Sequence, residues 1–392
     1  MLAHSPPLPL VIDYKSIRDI TAEDEVAAIF AIKQRDRVRR IRINLYSKSL
    51  QLQKLFMAID GEYPILEYLI LWDYSEDNRT VLILPETLQA PHLRYLSINC
   101  SIPIPFRLLA TAVGLVTLFI KYQNSYIYFQ PTILLQSLSL MPQLETLVVY
   151  FMFTIPDHDV ERPDVTTHVT LPNLRSFKIL AGSYYSEAIL SRITASHLEE
   201  FKFGYFKQLT FSASELLRFM GRTENLRFYR TEFRFLSDRF FVCANSPETN
   251  IPIHSLFESI IVKCEHFYWP VSYVAQIFSV LSQISSAVEH LTLVHDAHWH
   301  SWPFKEHNEV DRTEWRNLLR LFRNVKTLRI EGGPVRDLSR YLPVEDGEHP
   351  LELLPELKEL TYPDDSNAND VFSSLFIEAR RDAGRPVTLI KS

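Results

Sequence analysis

A short phrase recurs along this chain: an apolar residue, two variable residues, a second apolar residue, one more variable residue, a third apolar residue. It reads Leu66-Glu-Tyr-Leu69-Ile-Leu71, then Leu93-Arg-Tyr-Leu96-Ser-Ile98, then Leu144-Glu-Thr-Leu147-Val-Val149. It returns as Leu174, Phe177, Ile179, as Leu198, Phe201, Phe203, and as Val325, Leu328, Ile330. The first apolar positions fall at Val38, Leu66, Leu93, Leu115, Leu144, Leu174, Leu198, Leu226, Phe257, Val288, Val325 and Leu357, a mean spacing of about 29 residues. The phrase ends by alternating apolar and variable residues, the period-2 signature of a strand with one buried face. The copy at Leu226 is the weakest, because Thr231 stands where an apolar residue is expected.

The segments between phrases read as helices. Ser212-Ala-Ser-Glu215 has capping-box spacing ahead of Leu216 and Leu217. Residues 311–322 place acids in a first turn and apolar residues at helical spacing. Similar stretches run over 25–34, 51–59, 132–140, 187–194, 273–284 and 370–381. Prolines at 142, 172 and 355 stop a helix and turn the chain into the next strand.

A helix-then-strand unit cannot bury its apolar face alone, so neighbouring units must stack. The expected fold is α/β: a leucine-rich-repeat solenoid, or horseshoe, with a parallel β-sheet on the concave face and helices on the convex face. Residues 1–23 are expected as an N-terminal extension and 24–392 as a single solenoid of about 12 repeats. The long step from Val288 to Val325 marks an insertion, and 154–170 and 346–349 read as loops.

Bulk properties narrow the function. Only 9 glycines occur, so Gly-rich phosphate loops are scarcely available, and a net charge of -6 argues against a nucleic-acid coat. Cys100, Cys243 and Cys264 lack metal spacing and suit a reducing compartment, hence a cytoplasmic or nuclear expectation. The N-terminus is broken by proline and does not read as a signal peptide, and no apolar run approaches the roughly 18 residues of a membrane helix. The sequons at Asn78 and Asn99 read as chance matches. No membrane, nucleic acid or cofactor is expected as a partner.

The variable positions of each phrase point away from the core. Along the chain they give Tyr68 and Ile70, Tyr95 and Ser97, Thr117 and Phe119, Thr146 and Val148, Ser176 and Lys178, Glu200 and Lys202, Phe228 and Arg230. The first half is aromatic and apolar. Lys178, Lys202 and Arg230 fall on successive phrases, which predicts one row of cations. Post-strand segments add aromatics, among them Trp72, Tyr74, Trp269, Trp299 and Trp302. Aromatic residues and arginine are the usual anchors of protein interfaces. The predicted partner-binding set is therefore Tyr68, Tyr95, Phe119, Lys178, Lys202, Phe228, Arg230, Trp269, Trp299 and Trp302.

The phrases Leu84-Pro-Glu-Thr-Leu-Gln-Ala-Pro-His-Leu-Arg-Tyr-Leu96, Leu135-Gln-Ser-Leu-Ser-Leu-Met-Pro-Gln-Leu-Glu-Thr-Leu147 and Leu351-Glu-Leu-Leu-Pro-Glu-Leu-Lys-Glu-Leu360 resemble the leucine-rich-repeat region of fungal F-box proteins, especially mushroom-type ones. The ending Ala383-Gly-Arg-Pro-Val-Thr-Leu-Ile390 resembles that family's C-terminus. The resemblance implies substrate collection by the repeats, with an N-terminal F-box docking the Skp-type adaptor of a cullin ubiquitin ligase. An F-box opens Leu-Pro-x-Glu. Here the only echo is Glu25-Val-Ala-Ala-Ile-Phe30, which reads as the outer helix of the first repeat.

The expectation is a non-catalytic protein-interaction module, not an enzyme, holding a protein on its concave face and post-strand loops. The alternative is a full substrate receptor of a cullin ubiquitin ligase, which needs an F-box that is missing or degenerate here. A third reading is a metal-dependent enzyme built on the loop His295-Asp-Ala-His298-Trp-His300, flanked by His290 and His307. No Cys accompanies that loop, and no metal ligand is assigned. Nucleophile-elbow, phosphate-loop and zinc-protease motifs are missing. Cys264 and His266 lie two apart and point to opposite faces if extended.

Overall fold

A computed structural model of the chain describes residues 8–16, 22–46, 52–74, 82–99, 102–122, 130–151, 167–206, 214–223, 230–235, 239–245, 258–263, 275, 279, 285–295, 309–331, 342, 349, 351–363 and 375–391. The fold is mixed α/β, with a large parallel sheet and accompanying helices. The chain divides into two compact units, one of Met1–Phe201 with Arg218–Asn225, the other of Lys202–Leu217 with Leu226–Ser392.

In the first unit the phrases become strands: β2 Val38–Leu45, β3 Tyr68–Asp73, β4 Tyr95–Asn99, β5 Thr117–Tyr122, β6 Thr146–Phe151 and β8 Ser176–Ala181. Each is parallel to its neighbour, in the order β1-β2-β3-β4-β5-β6-β8. Strand β1, Leu10–Ser16, lies inside the stretch expected as an extension and pairs with β2. Its Ile12 and Tyr14 are buried while Val11, Asp13 and Lys15 are exposed, the alternation of a one-sided strand. The small strands β7 (Val169–Thr170) and β9 (Ile193–Thr194) form a separate pair.

One sheet face is the core. Ile41, Ile43, Leu69, Leu71, Leu96, Ile98, Leu118, Ile120, Leu147, Val149, Phe177 and Ile179 are buried on it. Burying a side chain of this size contributes about 1.5–3 kcal/mol. Helices between the strands add to this core: α1 Ala22–Ile32, α2 Leu52–Met57, α3 Phe106–Thr111, α4 Pro131–Ser139, α5 Ser183–Leu190 and α6 Ser214–Arg222. Tyr185 of α5 meets Phe151 edge-on at 4.9 Å, and Phe219 of α6 lies 5.1 Å from Phe201 and 6.0 Å from Phe177.

A repeated hydrogen bond ties phrase to phrase. The carbonyl of each second position accepts the next phrase's second and third N–H groups: Tyr95 and Arg94 on Glu67, Thr117 and Val116 on Arg94, Thr146 and Glu145 on Val116, Ser176 and Arg175 on Glu145. The side chains at that position carry charges that pair across neighbours, Arg39 with Glu67 at 2.9 Å and Arg175 with Glu199 at 3.1 Å. Such exposed pairs add little energy singly, yet opposite charges set side by side favour this register over a slipped one.

The second unit departs from the expected order. After β10 (Glu200–Phe206) come β11 Arg230–Phe235, β12 Arg239–Asn245, β13 Glu258–Lys263, β14 His290–His295, β15 Thr327–Glu331, β16 Glu359–Tyr362 and β17 Thr388–Lys391. In space the order is β10-β13-β12-β11-β14-β15-β16-β17, with β12 antiparallel to both its neighbours. The Leu226 phrase yields a strand that starts only at Arg230, and a hairpin replaces the helical crossover. Helices α7 (Glu309–Arg320) and α8 (Leu375–Asp382) follow the pattern of the first unit.

Candidate functional site

The strand register of the first unit builds a second, half-exposed face opposite the core. Three rows cross the strands. The first is Val11, Arg40, Tyr68, Tyr95, Thr117, Thr146, Ser176. The second is Asp13, Arg42, Ile70, Ser97, Phe119, Val148, Lys178, and the third is Lys15, Asn44, Trp72, Asn99, Lys121, Tyr150, Leu180. Parallel pairing without a slip puts every member of a row on one side, about 4.8 Å from the next.

The face brings Tyr68, Tyr95 and Phe119 of the predicted set together. Tyr68 is 38% exposed, and its ring lies 6.0 Å from that of Tyr95. Phe119 is half-buried and stands edge-on to Tyr150 at 6.2 Å. Burial, then the Glu200 carboxylate, pushes the Tyr150 hydroxyl up to about 12. Ile70 and Val148, expected as apolar contacts, are 7% and 6% exposed and are largely covered by their neighbours.

The predicted row of cations does not form. Lys178 Nζ lies 2.9 Å from Glu200 Oε2, which also accepts the Ser176 hydroxyl at 2.5 Å. Within the second unit Lys202, half-buried on β10, and Arg230, the first residue of β11, are three strands apart, because β13 and β12 intervene. That distance is about 14 Å rather than one strand spacing. Phe228, Trp269, Trp299 and Trp302 lie outside the described residues, as does the histidine loop beyond His295. His290, its expected flank, lies on β14 with Nδ1 2.5 Å from Thr327 Oγ1. Among the described residues no group of three or more His, Cys, Asp or Glu side chains is placed to hold a metal ion.

Several face residues escaped the sequence reading. Arg40 and Arg42 occupy the variable positions of the Val38 phrase, the same positions that gave Tyr68 and Ile70 one phrase later. The Arg40 guanidinium lies 5.5 Å from the Tyr68 ring centroid and that of Arg42 lies 5.9 Å from Trp72. Trp72, expected in a loop, lies within β3 and donates its indole N–H to Ser97 Oγ at 2.8 Å. Beside it Tyr74 stacks on Tyr46 at 5.0 Å, both rings exposed. Burial and the neighbouring Tyr46 raise the Tyr74 hydroxyl, with Arg42 opposing them. Asn44 and Asn99 flank Trp72 in the third row, both buried. Their Oδ1 atoms and Arg42 Nε have no hydrogen-bond partner among the described residues.

The groups displayed are guanidinium, amide, phenol and indole, which bind by charge, hydrogen bonds and stacking. On β1 to β5 the three rows carry Lys15, Arg40, Arg42 and Lys121 against Asp13 alone, although the whole chain is net -6.

No protein-family model matches the chain, and no curated protein matches it. Among the described residues no helix is long and apolar enough to cross a membrane.

Proposed function

We propose that the chain is a non-catalytic protein-interaction module, a leucine-rich-repeat solenoid whose open sheet face binds a protein partner. The observation that carries this reading is the register-aligned face holding Tyr68, Tyr95 and Phe119 over a wholly apolar core face. The recurring phrase supports the solenoid, and the carbonyl ladder that repeats with it supports stacking of equivalent units. The resemblance to the repeat region of fungal F-box proteins supports substrate recognition as the biological use. Adaptor docking requires an F-box; the helix Ala22–Ile32, which holds the only echo of one, packs on β1 and β2 as part of the first unit.

The test is a photo-cross-linking residue placed at Tyr95 or Phe119, with Arg107 on α3 as the control position. The expected result is one protein recovered from both face positions and not from the control, with recovery reduced at least ten-fold by Tyr68→Ala. Equal recovery from all three positions overturns the assignment.

A further inference from the structure

We infer that the face over β2 to β5 takes an extended acidic peptide segment of a partner protein, running across the strands along the row Asn44, Trp72, Asn99, Lys121. The inference rests on the binding-face reading above and adds the chemistry of what is bound.

Charge complementarity selects the occupant. The strand-borne charges here are positive in a chain that is negative overall, so the local field departs from the global one. Arg40 and Arg42 lie over aromatic rings and make no ion pair among the described residues. Arg42 also holds a buried Nε without a partner, a donor that a carboxylate satisfies.

The two buried amides indicate a main chain rather than a lone anion. Asn44 and Asn99 stand one strand either side of Trp72, with unmatched acceptor oxygens. A buried, unpaired polar atom costs about 1–3 kcal/mol, which a ligand N–H recovers. Two strand spacings are about 9.6 Å and three residues of extended peptide about 10 Å, so the amides match peptide groups three residues apart. Trp72 between them offers an apolar platform to the side chain that crosses it.

The same spacing fixes a motif. From β2 to β5 the distance is about 14 Å, close to four extended residues. A carboxylate meeting Arg42 is therefore followed, four residues on, by one meeting Lys121, with an apolar residue midway over Trp72. Aromatic and basic groups also suit single-stranded RNA. The paired amides and the motif spacing favour a peptide, and RNA is an outcome of the test.

The probe is a pool of fluorescein-labelled nine-residue peptides with Glu fixed at the third and seventh positions and uncharged residues elsewhere. A matched pool carries Lys at those positions, and oligouridylate serves as the nucleic-acid probe. Anisotropy with the full chain is expected to show the Glu pool binding at least ten-fold more tightly than the Lys pool. Arg42→Met, which keeps an aliphatic stem over Trp72, is expected to weaken Glu-pool binding at least five-fold. Lys121→Gln is expected to do the same, both with thermal midpoints near that of the parent. Equal binding of the two pools, indifference to both substitutions, or tighter binding of oligouridylate overturns the inference. If the Glu pool fails while a protein still cross-links through Tyr95 and Phe119, the acidic-peptide inference falls and the binding face stands. If the cross-links fail as well, both fall.

Discussion

Arg380 grips the turn around Leu354. Its Nη1 donates to Leu353 O at 3.1 Å, and its Nη2 donates to Pro355 O at 3.1 Å and Leu357 O at 3.2 Å. Leu354, between those carbonyls, has φ 49°, a left-handed conformation that costs a non-glycine residue roughly 1–2 kcal/mol. Leu354 is fully buried, so its side chain repays the backbone strain, and the guanidinium satisfies carbonyls that the turn leaves inside. Burial, then the nearby Arg385, pulls the Arg380 pKa down to about 10, which leaves it charged at neutral pH. Arg380→Met removes three acceptors' partner at once and is expected to cost about 3–5 kcal/mol in urea unfolding. Arg380→Lys keeps the charge but cannot span three carbonyls, and recovers less than half of that loss. Retention of parental stability by the Met variant refutes the role.

The Lys178–Glu200 pair is half-buried on both sides, which predicts a structural rather than a recognition role for Lys178. A double-mutant cycle with Lys178→Met and Glu200→Gln is expected to give a coupling of about 0.5–1.5 kcal/mol. Lys178→Met is expected to leave cross-linking through Tyr95 within two-fold of the parent. A ten-fold loss there would return Lys178 to the binding set.

Trp72 and Ser97 test the cost of an unmade bond. Trp72→Phe leaves the buried Ser97 hydroxyl without its indole donor and is expected to cost about 1–2 kcal/mol beyond the packing change. Adding Ser97→Ala removes the stranded group and is expected to restore about half of the loss. Strictly additive effects in chemical denaturation would show that the bond contributes nothing.

Alkaline pH probes the two raised phenols. Tyr150 is pushed up to about 12 by burial and then by Glu200; Tyr14 is pushed up to about 12 by burial, then by the charge of Glu25 and its hydrogen bond. Both phenols hold their protons more tightly folded than unfolded. Their stabilising contribution is therefore whole below about pH 10 and is lost as pH rises toward 12. Urea midpoints are expected to fall across that window, and Tyr150→Phe to make the fall shallower by on the order of 1–2 kcal/mol. An unchanged slope in the variant removes Tyr150 from the account.

The strands of the first unit were legible because Leu and Ile repeat with one spacing and burial obeys it residue for residue. Strand β1 carries the same alternation in Leu10, Ile12 and Tyr14, but the first apolar residue of the phrase is missing, so the repeat does not announce it. The hairpin of β11 and β12 was not legible: the local run of Arg and Phe satisfies strand propensity in several registers, and nothing local states that β13 will pair with β10. Tyr68, Tyr95 and Phe119 followed from counting alternate residues, and Arg40 and Arg42 follow from the same count begun one phrase earlier. The buried amides of Asn44 and Asn99 were hidden because they sit one residue past the phrase, where its period ends and burial depends on how far each strand continues.

The reversed order in the second unit bears on how the chain is made. Where each strand docks beside its predecessor, a growing sheet covers its own edge as it leaves the ribosome. Here the free edge of β10 waits for β13, and two other strands are synthesised in between. During that interval an uncovered row of N–H and C=O groups faces whatever chain is nearby. Ribosome-bound chains halted between Asn245 and Glu258 should therefore be the most chaperone-dependent of a nested series, with the dependence falling once Lys263 has emerged.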